Sequence, residues 1–189
     1  MSPFRLGFSV HDVIRDDKKI ISDIDRIKEW LNGETLPKLL DEQILIFLTS
    51  AENDVQIAMK IIKGLYQMKQ SRPDVFAARN INEDMRRNFR ATLMCYLPVR
   101  HNESIIVLAK YRENSLSDFD FKCSIKTLTM FAEAAVYNGP EKGFILLVDG
   151  AGTTLRHIMK MKLNPLKMAV DYFQDYFPIR LTNVHFINA

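Results

Sequence analysis

Cysteine is scarce in this 189-residue chain. There are two, Cys95 and Cys123, far apart and in no CxxC pair. A disulfide framework and a zinc ribbon are both excluded, and two free thiols fit a reducing compartment. Charge of one sign is also lacking: 26 basic residues against 23 acidic ones leave +3. That is too mild to argue for nucleic acid, and no dense basic stripe with interleaved aromatics is present. Long apolar runs are missing, so no segment reads as a bilayer span. The N-terminal MSPFRLGFSVHDVIRDDKK has no signal-peptide core. Histidine is rare as well. His11, His101, His157 and His185 share no metal-ligand spacing with one another or with cysteine or carboxylate. No serine occupies a GxSxG elbow. Asp149-Gly150-Ala151-Gly152 starts like a phosphate loop, but the third glycine of a dinucleotide fingerprint would fall on Leu155. A strand-end turn is the simpler reading. Together these absences lead to the expectation of a cytoplasmic protein with no catalytic residue, no metal and no cofactor, and no nucleic-acid partner.

What is present is enough to fill a core, at 47% hydrophobic residues. The chain is organised around its last stretch, GFILLVDGAGTTLRHIMKMKLNPLKMAVDYFQDYFPIRLTNVHFINA. Phe144 to Val148 is an unbroken apolar run of strand length, the kind that suits a strand covered on both faces. Pro165 opens a helical pattern in which Leu166, Ala169, Val170, Phe173 and Phe177 recur three and four apart. Pro178 ends it. Leu181 to Ile187 reads as a second strand, giving strand, crossover helix and parallel strand. Upstream, Ile105 to Ala109 is a strand, Ala91 to Val99 an extended lead-in closed by Pro98, and Ser117 to Tyr137 a helix. The first third is helical. Val13, Ile20, Ile24, Ile27 and Leu31 share one face, capped by Ser9 and stopped at Asn32-Gly33. A second helix runs from about Pro37 to Thr49, and a third starts at Asp54 and closes at Arg72-Pro73. The fold class is therefore α/β: a helical bundle over 1–88, then, over 89–189, a mostly parallel sheet flanked by helices.

By the period of two, Phe144, Leu146 and Val148 point to one side of their strand. Tyr172 and Phe173 from the crossover helix, and Leu181 and Val184 from the next strand, can converge on part of that set. On the pattern alone, ordinary core packing is the reading for any one of these residues. His185 has apolar neighbours in its strand and reads as a hydrogen-bonded structural histidine. Arg180 by itself reads as a solvated strand-end charge. The basic run Arg156, Lys160, Lys162, Lys167 is either a solvated face or one that favours anionic membrane.

The ordered set GFILLVDGAG, the helix ending in Phe177-Pro178, Arg180, and then His185-Phe186-Ile187-Asn188-Ala189 resembles the CRAL-TRIO lipid-binding family. The branch it is most similar to holds the α-tocopherol transfer protein and the retinaldehyde-binding protein. The resemblance extends weakly over nearly the whole chain and makes residues 89–189 a partial CRAL-TRIO domain behind the family's N-terminal helical region. It implies non-enzymatic binding and transfer of a small hydrophobic lipid such as a retinoid or tocopherol, with transient peripheral contact to a phosphoinositide-containing membrane. The matching positions Phe121, Ser124, Phe144, Val148, Tyr172, Phe173, Leu181 and Val184 would lie at an apolar cavity, with Ser124 a rare polar contact in its wall. Arg180 matches a position that binds phosphatidylinositol bisphosphate headgroups. Thr182 stands where a second basic residue would, and the turn TSAEND is acidic where relatives carry basic residues. A non-carrying scaffold or regulatory module of the same fold is the alternative. Because relatives continue past Ala189 with more strands and a lid helix, the resemblance also implies a C-terminally truncated chain. An open edge on the last strand would then make it aggregation-prone or dimeric.

Overall fold

A computed structural model describes residues 6–15, 17–77, 79–112 and 116–188. Ala189, the last residue of the motif just quoted, lies outside them. The first third is helical as its pattern predicts, but the first helix is two. α1 (Val10–Ile14) is capped by the Ser9 hydroxyl and ends at Arg15 in the left-handed region (φ 46°). α2 (Lys18–Asn32) restarts on the Asp17 carboxylate, which accepts from the Lys19 and Ile20 amides at 2.9 and 3.3 Å. A second capping side chain competes with helix continuation, and it turns Val13 away from the face that Ile24, Ile27 and Leu31 bury. α3 (Asp41–Ser50) begins four residues later than the pattern suggests, because the Gln43 side chain accepts from the Leu40 amide at 2.9 Å. α4 (Val55–Ser71) starts on Asp54 as expected and stops before Pro73, which opens the short α5 (Pro73–Phe76). α6 (Glu83–Ala91) spans the connector.

The sheet has the order β1-β2-β3-β4. β1 (Thr92–His101) runs antiparallel to β2 (Ser104–Tyr111), which is parallel to β3 (Gly143–Asp149), which is parallel to β4 (Leu181–Ile187). Pro98 does not close β1. It sits inside the strand, where the register slips between Tyr96 and Arg100, as an edge strand with no partner on one side permits. α7 (Phe121–Ala135), capped by Asp120, lies between β2 and β3 in the chain. The β3–β4 crossover holds two helices, α8 (Leu155–Lys160) and α9 (Leu163–Asp171), and then a wider π turn, Tyr172–Tyr176. α8 carries no apolar periodicity toward the core and is not foreseen by the pattern.

The π turn closes with the Phe177 amide on the Tyr172 carbonyl at 2.7 Å. Widening the helix by a residue puts Phe177 over Tyr172, so that Tyr172 joins Phe173 and Phe177 on the inward side. α4 meets this turn through Gly64: a Cβ there would stand 2.2 Å from the Tyr176 ring. The core then runs unbroken from the N-terminal helices to the sheet, through Ile27, Leu48, Ile62, Val75, Leu128, Val107, Phe144 and Ile179.

β3 is covered on both faces only over its first half. Phe144 and Ile145 are buried, while Leu146, Leu147 and Val148 are half-buried. β4 is the sheet's edge strand, with Val184, Phe186 and Ile187 exposed.

Candidate functional site

The residue pairing across β2, β3 and β4 places Ile105, Val107, Phe144, Leu146, Val148, Leu181, Val184 and Phe186 on one sheet face. α7 and the π turn lie over that face, as the stacked contacts Tyr96–Phe131 and Phe144–Phe173 show. At the Phe144 end the face is closed by aromatic rings. Phe144 stacks parallel on Phe173 with centroids 5.6 Å apart and meets Phe177 edge-on at 5.9 Å. Tyr172 packs on Phe173, Phe177 and Phe76 at 4.9, 5.4 and 5.3 Å. These are favourable offset and edge-to-face arrangements. Three of the eight expected wall residues, Phe144, Tyr172 and Phe173, are thus in contact with one another.

The Tyr172 hydroxyl reaches out of this cluster and donates to Glu133 Oε1 on α7 at 2.9 Å. Glu133 also receives Lys69 from α4 at 3.1 Å and Arg79 at 2.5 Å. Arg79 reaches Thr129 at 3.2 Å as well and lays its guanidinium 5.0 Å over the Phe76 ring. Burial, with the adjacent Glu133 charge, holds the Tyr172 phenol well above its ordinary value of 10, so it stays a neutral donor. Glu133 thereby ties α4, the α5–α6 link and the crossover to one carboxylate. The amphipathic pattern of α7 gave no sign of this, because Glu133 lies off the apolar stripe.

A second aromatic group occupies the other end. Phe121 tilts against Phe119 at 6.5 Å; Phe119 meets Tyr111 at 4.8 Å and His157 at 5.4 Å, and Tyr111 stacks on His157 at 5.8 Å. His157 is buried, 2% exposed, at the inner side of α8. Its Nδ1 lies 3.2 Å from the Thr154 amide and 2.9 Å from the Thr154 hydroxyl, and its Nε2 has no protein partner among the described residues. Burial and then the nearby Lys160 charge lower its pKa from 6.5, which keeps the ring neutral. His157 is the buried histidine, whereas His185, read as a structural histidine in an apolar strand, is exposed because β4 is an uncovered edge.

The Ser124 hydroxyl is 3.0 Å from both Asn88 Oδ1 and the Asp120 carbonyl. Asn88 on α6 is fully buried, and its amide reaches Thr92 at 3.5 Å. The one Ser124 hydroxyl proton is therefore shared between Asn88 of α6 and the Asp120 carbonyl at the start of its own helix. Asn88 was legible only as the polar member of a three-residue spacing, Met85, Asn88, Ala91, that turns inward. The remaining wall residues are the open ones: Val148 and Leu181 half-buried, Val184 42% exposed.

At the C-terminal ends of the parallel strands, Asp149 accepts from Lys110 at 2.9 Å, from Asn188 at 3.0 Å and from the Ala151 amide at 2.9 Å. Lys110 foremost, then Asn188 and the amide, hold its acid at about 2. A carboxylate so engaged has no basicity for proton transfer near neutrality. The turn after it closes with the Thr153 amide on the Gly150 carbonyl at 2.9 Å. Among the described residues no group of three or more His, Cys, Asp or Glu is placed to hold a metal ion.

Arg180 is exposed and pairs with Glu52 of the acidic TSAEND turn at 2.5 Å. The neighbouring Thr182 hydroxyl donates to the Phe144 carbonyl at 3.2 Å. A groove of about 590 Å³ runs between α4 and α9, lined by Gly64, Arg72, Lys167 and Tyr176 among others. It is open and lined by polar and apolar groups alike. Arg72 there is held by Asp74, and Lys167 by Asp171.

Comparison with known proteins gives the geometry a context. Residues 90–189 match the model of the CRAL/TRIO domain. Clavesin-1 of Rattus norvegicus is 26% identical over 157 residues, 78% of this chain and 43% of that protein. Clavesin-2 of Mus musculus is 35% identical over 57 residues, 29% of this chain and 17% of that protein. The chain thus spans less than half the length of these relatives. The crystal structure of Sfh5 superposes with a TM-score of 0.54 at 10% identity, covering 92% of this chain and 72% of that one. That likeness speaks for the fold. No described helix is long and apolar enough to cross a membrane.

Proposed function

The chain belongs to the CRAL/TRIO domain family, and from that premise we propose that it binds and transfers a small hydrophobic lipid, of retinoid or tocopherol type, without catalysing a reaction. The observation that carries this reading is the apolar sheet face under α7 and the π turn. It is closed by Phe144, Tyr172 and Phe173 at one end, where Leu181 pairs with Phe144, and opens through Val184 and Val148 toward the other. A lipid chain entering by Val184 would lie on Leu146 and Val148 and would reach the aromatic rings by displacing them. The work would be done at the cytoplasmic face of a membrane, by transient contact. Native mass spectrometry of purified protein, before and after incubation with retinaldehyde, tocopherol and phosphatidylinositol, tests it. A one-to-one lipid adduct lost in Val148→Trp and Val184→Trp is the expected result, and no adduct with any of the three would overturn it.

Recognition of phosphatidylinositol bisphosphate through Arg180 belongs to the same proposal. The fork of an arginine suits a phosphate, and here it must first leave Glu52. Glu52→Ala should therefore strengthen binding to vesicles carrying that lipid, and Arg180→Ala should weaken it. A second reading, a module of this fold that carries no lipid, is favoured by the same aromatic contacts, since the rings already fill the space between them. Purified protein without lipid that takes up none, yet pulls down a stable protein partner, would decide for it.

A further inference from the structure

Tyr111 ends β2 on the same face as Val107 and Ala109, which pair with Leu146 and Val148 of β3. It therefore stands one step beyond Val148, at the open end of the apolar sheet face. The His157 ring stacks on it, 13° from parallel with centroids 5.8 Å apart, and Phe119 meets the same imidazole edge-on at 5.4 Å. Phe119 in turn tilts against Phe121, one of the expected wall residues. The buried histidine of α8 thus belongs to a group of rings that begins where the sheet face opens.

The Thr154 amide lies 3.2 Å from Nδ1. An amide N–H only donates, so Nδ1 accepts, and the neutral ring carries its proton on Nε2. Nδ1 faces back to the start of α8; Nε2, across the five-membered ring, faces away from it. Among the described residues three buried side-chain atoms have no hydrogen-bond partner: Arg79 Nε, Thr127 Oγ1 and His157 Nε2. Arg79 is already engaged through both terminal nitrogens. A threonine hydroxyl in a helix can turn to a carbonyl of the preceding turn. The imidazole N–H has no such recourse, and a buried donor left unpaired calls for an explanation. Polar neighbours at this end are used internally. The Thr92 hydroxyl donates to the Asn88 carbonyl at 2.9 Å, and the Ser124 proton is shared between Asn88 and Asp120.

We propose that His157 is the polar anchor of the bound lipid, its Nε2–H donating to the carbonyl oxygen of an aldehyde- or ester-ended lipid whose chain lies along Val148 and Leu146. Nε2–H can only donate and a carbonyl oxygen can only accept, so the pair satisfies both. A hydroxyl would bring a proton of its own that needs a further acceptor. Among buried rings such a bond acts chiefly by discrimination, because a lipid with no oxygen leaves the donor unpaired. The head of the lipid is then held at the Tyr111 end, and its tail points to the rings at Phe144. The inference rests on the lipid-carrier reading and adds to it which end of the lipid is held, and by what.

The experiment compares retinaldehyde with axerophthene, the same polyene ending in a methyl group, in equilibrium binding to the 189-residue chain and to His157→Phe. Phenylalanine keeps a flat ring against Tyr111 and Phe119 and removes the donor. The ratio of retinaldehyde affinity to axerophthene affinity should fall about tenfold in His157→Phe, with axerophthene bound as by wild type. A merely structural histidine would weaken both lipids alike. Raman spectroscopy of retinaldehyde on wild type should show the carbonyl stretch lowered from its position in hexane, as a hydrogen bond to the oxygen requires, and His157→Phe should restore it. An unshifted carbonyl on wild type, or an affinity ratio that the substitution leaves alone, would overturn the anchor and leave the carrier reading standing. The wild-type spectrum decides even where the variant does not fold. Uptake of tocopherol without retinaldehyde would likewise overturn the anchor alone. A chain that takes up neither retinoid nor tocopherol would retire the carrier reading and the anchor together.

Discussion

The two ends of β3 behave differently although their residues are alike. Phe144 and Ile145 are buried, and Phe144 lies in a stack of rings from the crossover and α5. Four residues on, Val148 is half-buried, its β4 neighbour Phe186 is 68% exposed, and the α8 side chains beyond are more open still. An apolar run of one composition thus passes from core to surface along a single strand. What changes is how much is laid over it: the π turn, α4 and α7 converge on the Phe144 end, while the Val148–Phe186 pair at the other end is left largely open. Hydrophobicity drives burial only where something arrives to bury against. The closed end carries stability, and the open end is where the proposed lipid would enter without unfolding the chain.

The sharpest way to break this contrast is to truncate one ring at each end. Phe144→Ala should cost about 3–5 kcal/mol, transfer and cavity terms together. Phe186→Ala, on the exposed edge, should cost less than about 1 kcal/mol. Urea unfolding of the two variants checks both, and comparable losses would show that the open end is structural after all. Next in size is Glu133→Gln. It keeps the shape but removes the charge that Lys69 and Arg79 share, and it should cost about 1–2 kcal/mol, because all three groups are only partly exposed. Its signature would be loosening of α4 in hydrogen exchange with the β2–β3 amides unchanged.

Acidification probes the open end and the helical region without mutation. The His157 pKa is lowered in the folded chain, so its stabilisation is present above 6.5 and is lost as pH falls below that value. Thermal melts should decline there first, and His157→Gln should flatten that step. A second decline should follow as pH drops from 3.8 through about 2, where Asp74, held by Arg72, and Asp149, held by Lys110, are protonated. The smallest effect on stability belongs to Glu52→Lys. An exposed pair is worth less than about 1 kcal/mol, so the melting temperature should barely move. Even so, release of Arg180 and the added cation should raise binding to phosphatidylinositol bisphosphate vesicles, read by flotation.

The light-scattering behaviour of the chain bears on the edge strand itself. β4 leaves one row of backbone donors and acceptors and the side chains of Val184, Phe186 and Ile187 uncovered. Self-association that Phe186→Lys reduces would assign it to that edge.

Local rules were enough for much of this. Asp54 as a helix cap, Pro178 as a stop, the apolar run Phe144–Val148 and the run Leu181–Ile187 each act through their own backbone or nearest neighbours, and each stands in the structure where the residues put it. The parallel β3–β4 pairing also follows from the length of the crossover. The sequence could not say which apolar residues would be covered. Phe144 and Phe186 look equivalent in their strands, as do His157 and His185 among their neighbours, yet in each pair one is buried and the other exposed. Nor could it join Arg180 to Glu52, 128 residues earlier, or gather Lys69, Arg79 and Tyr172 on Glu133. Periodicity fixes which way a side chain points relative to its own element. Whether another element stands there, carrying an aromatic ring, an opposite charge or nothing, is set only when the elements pack, and on that the candidate site depends.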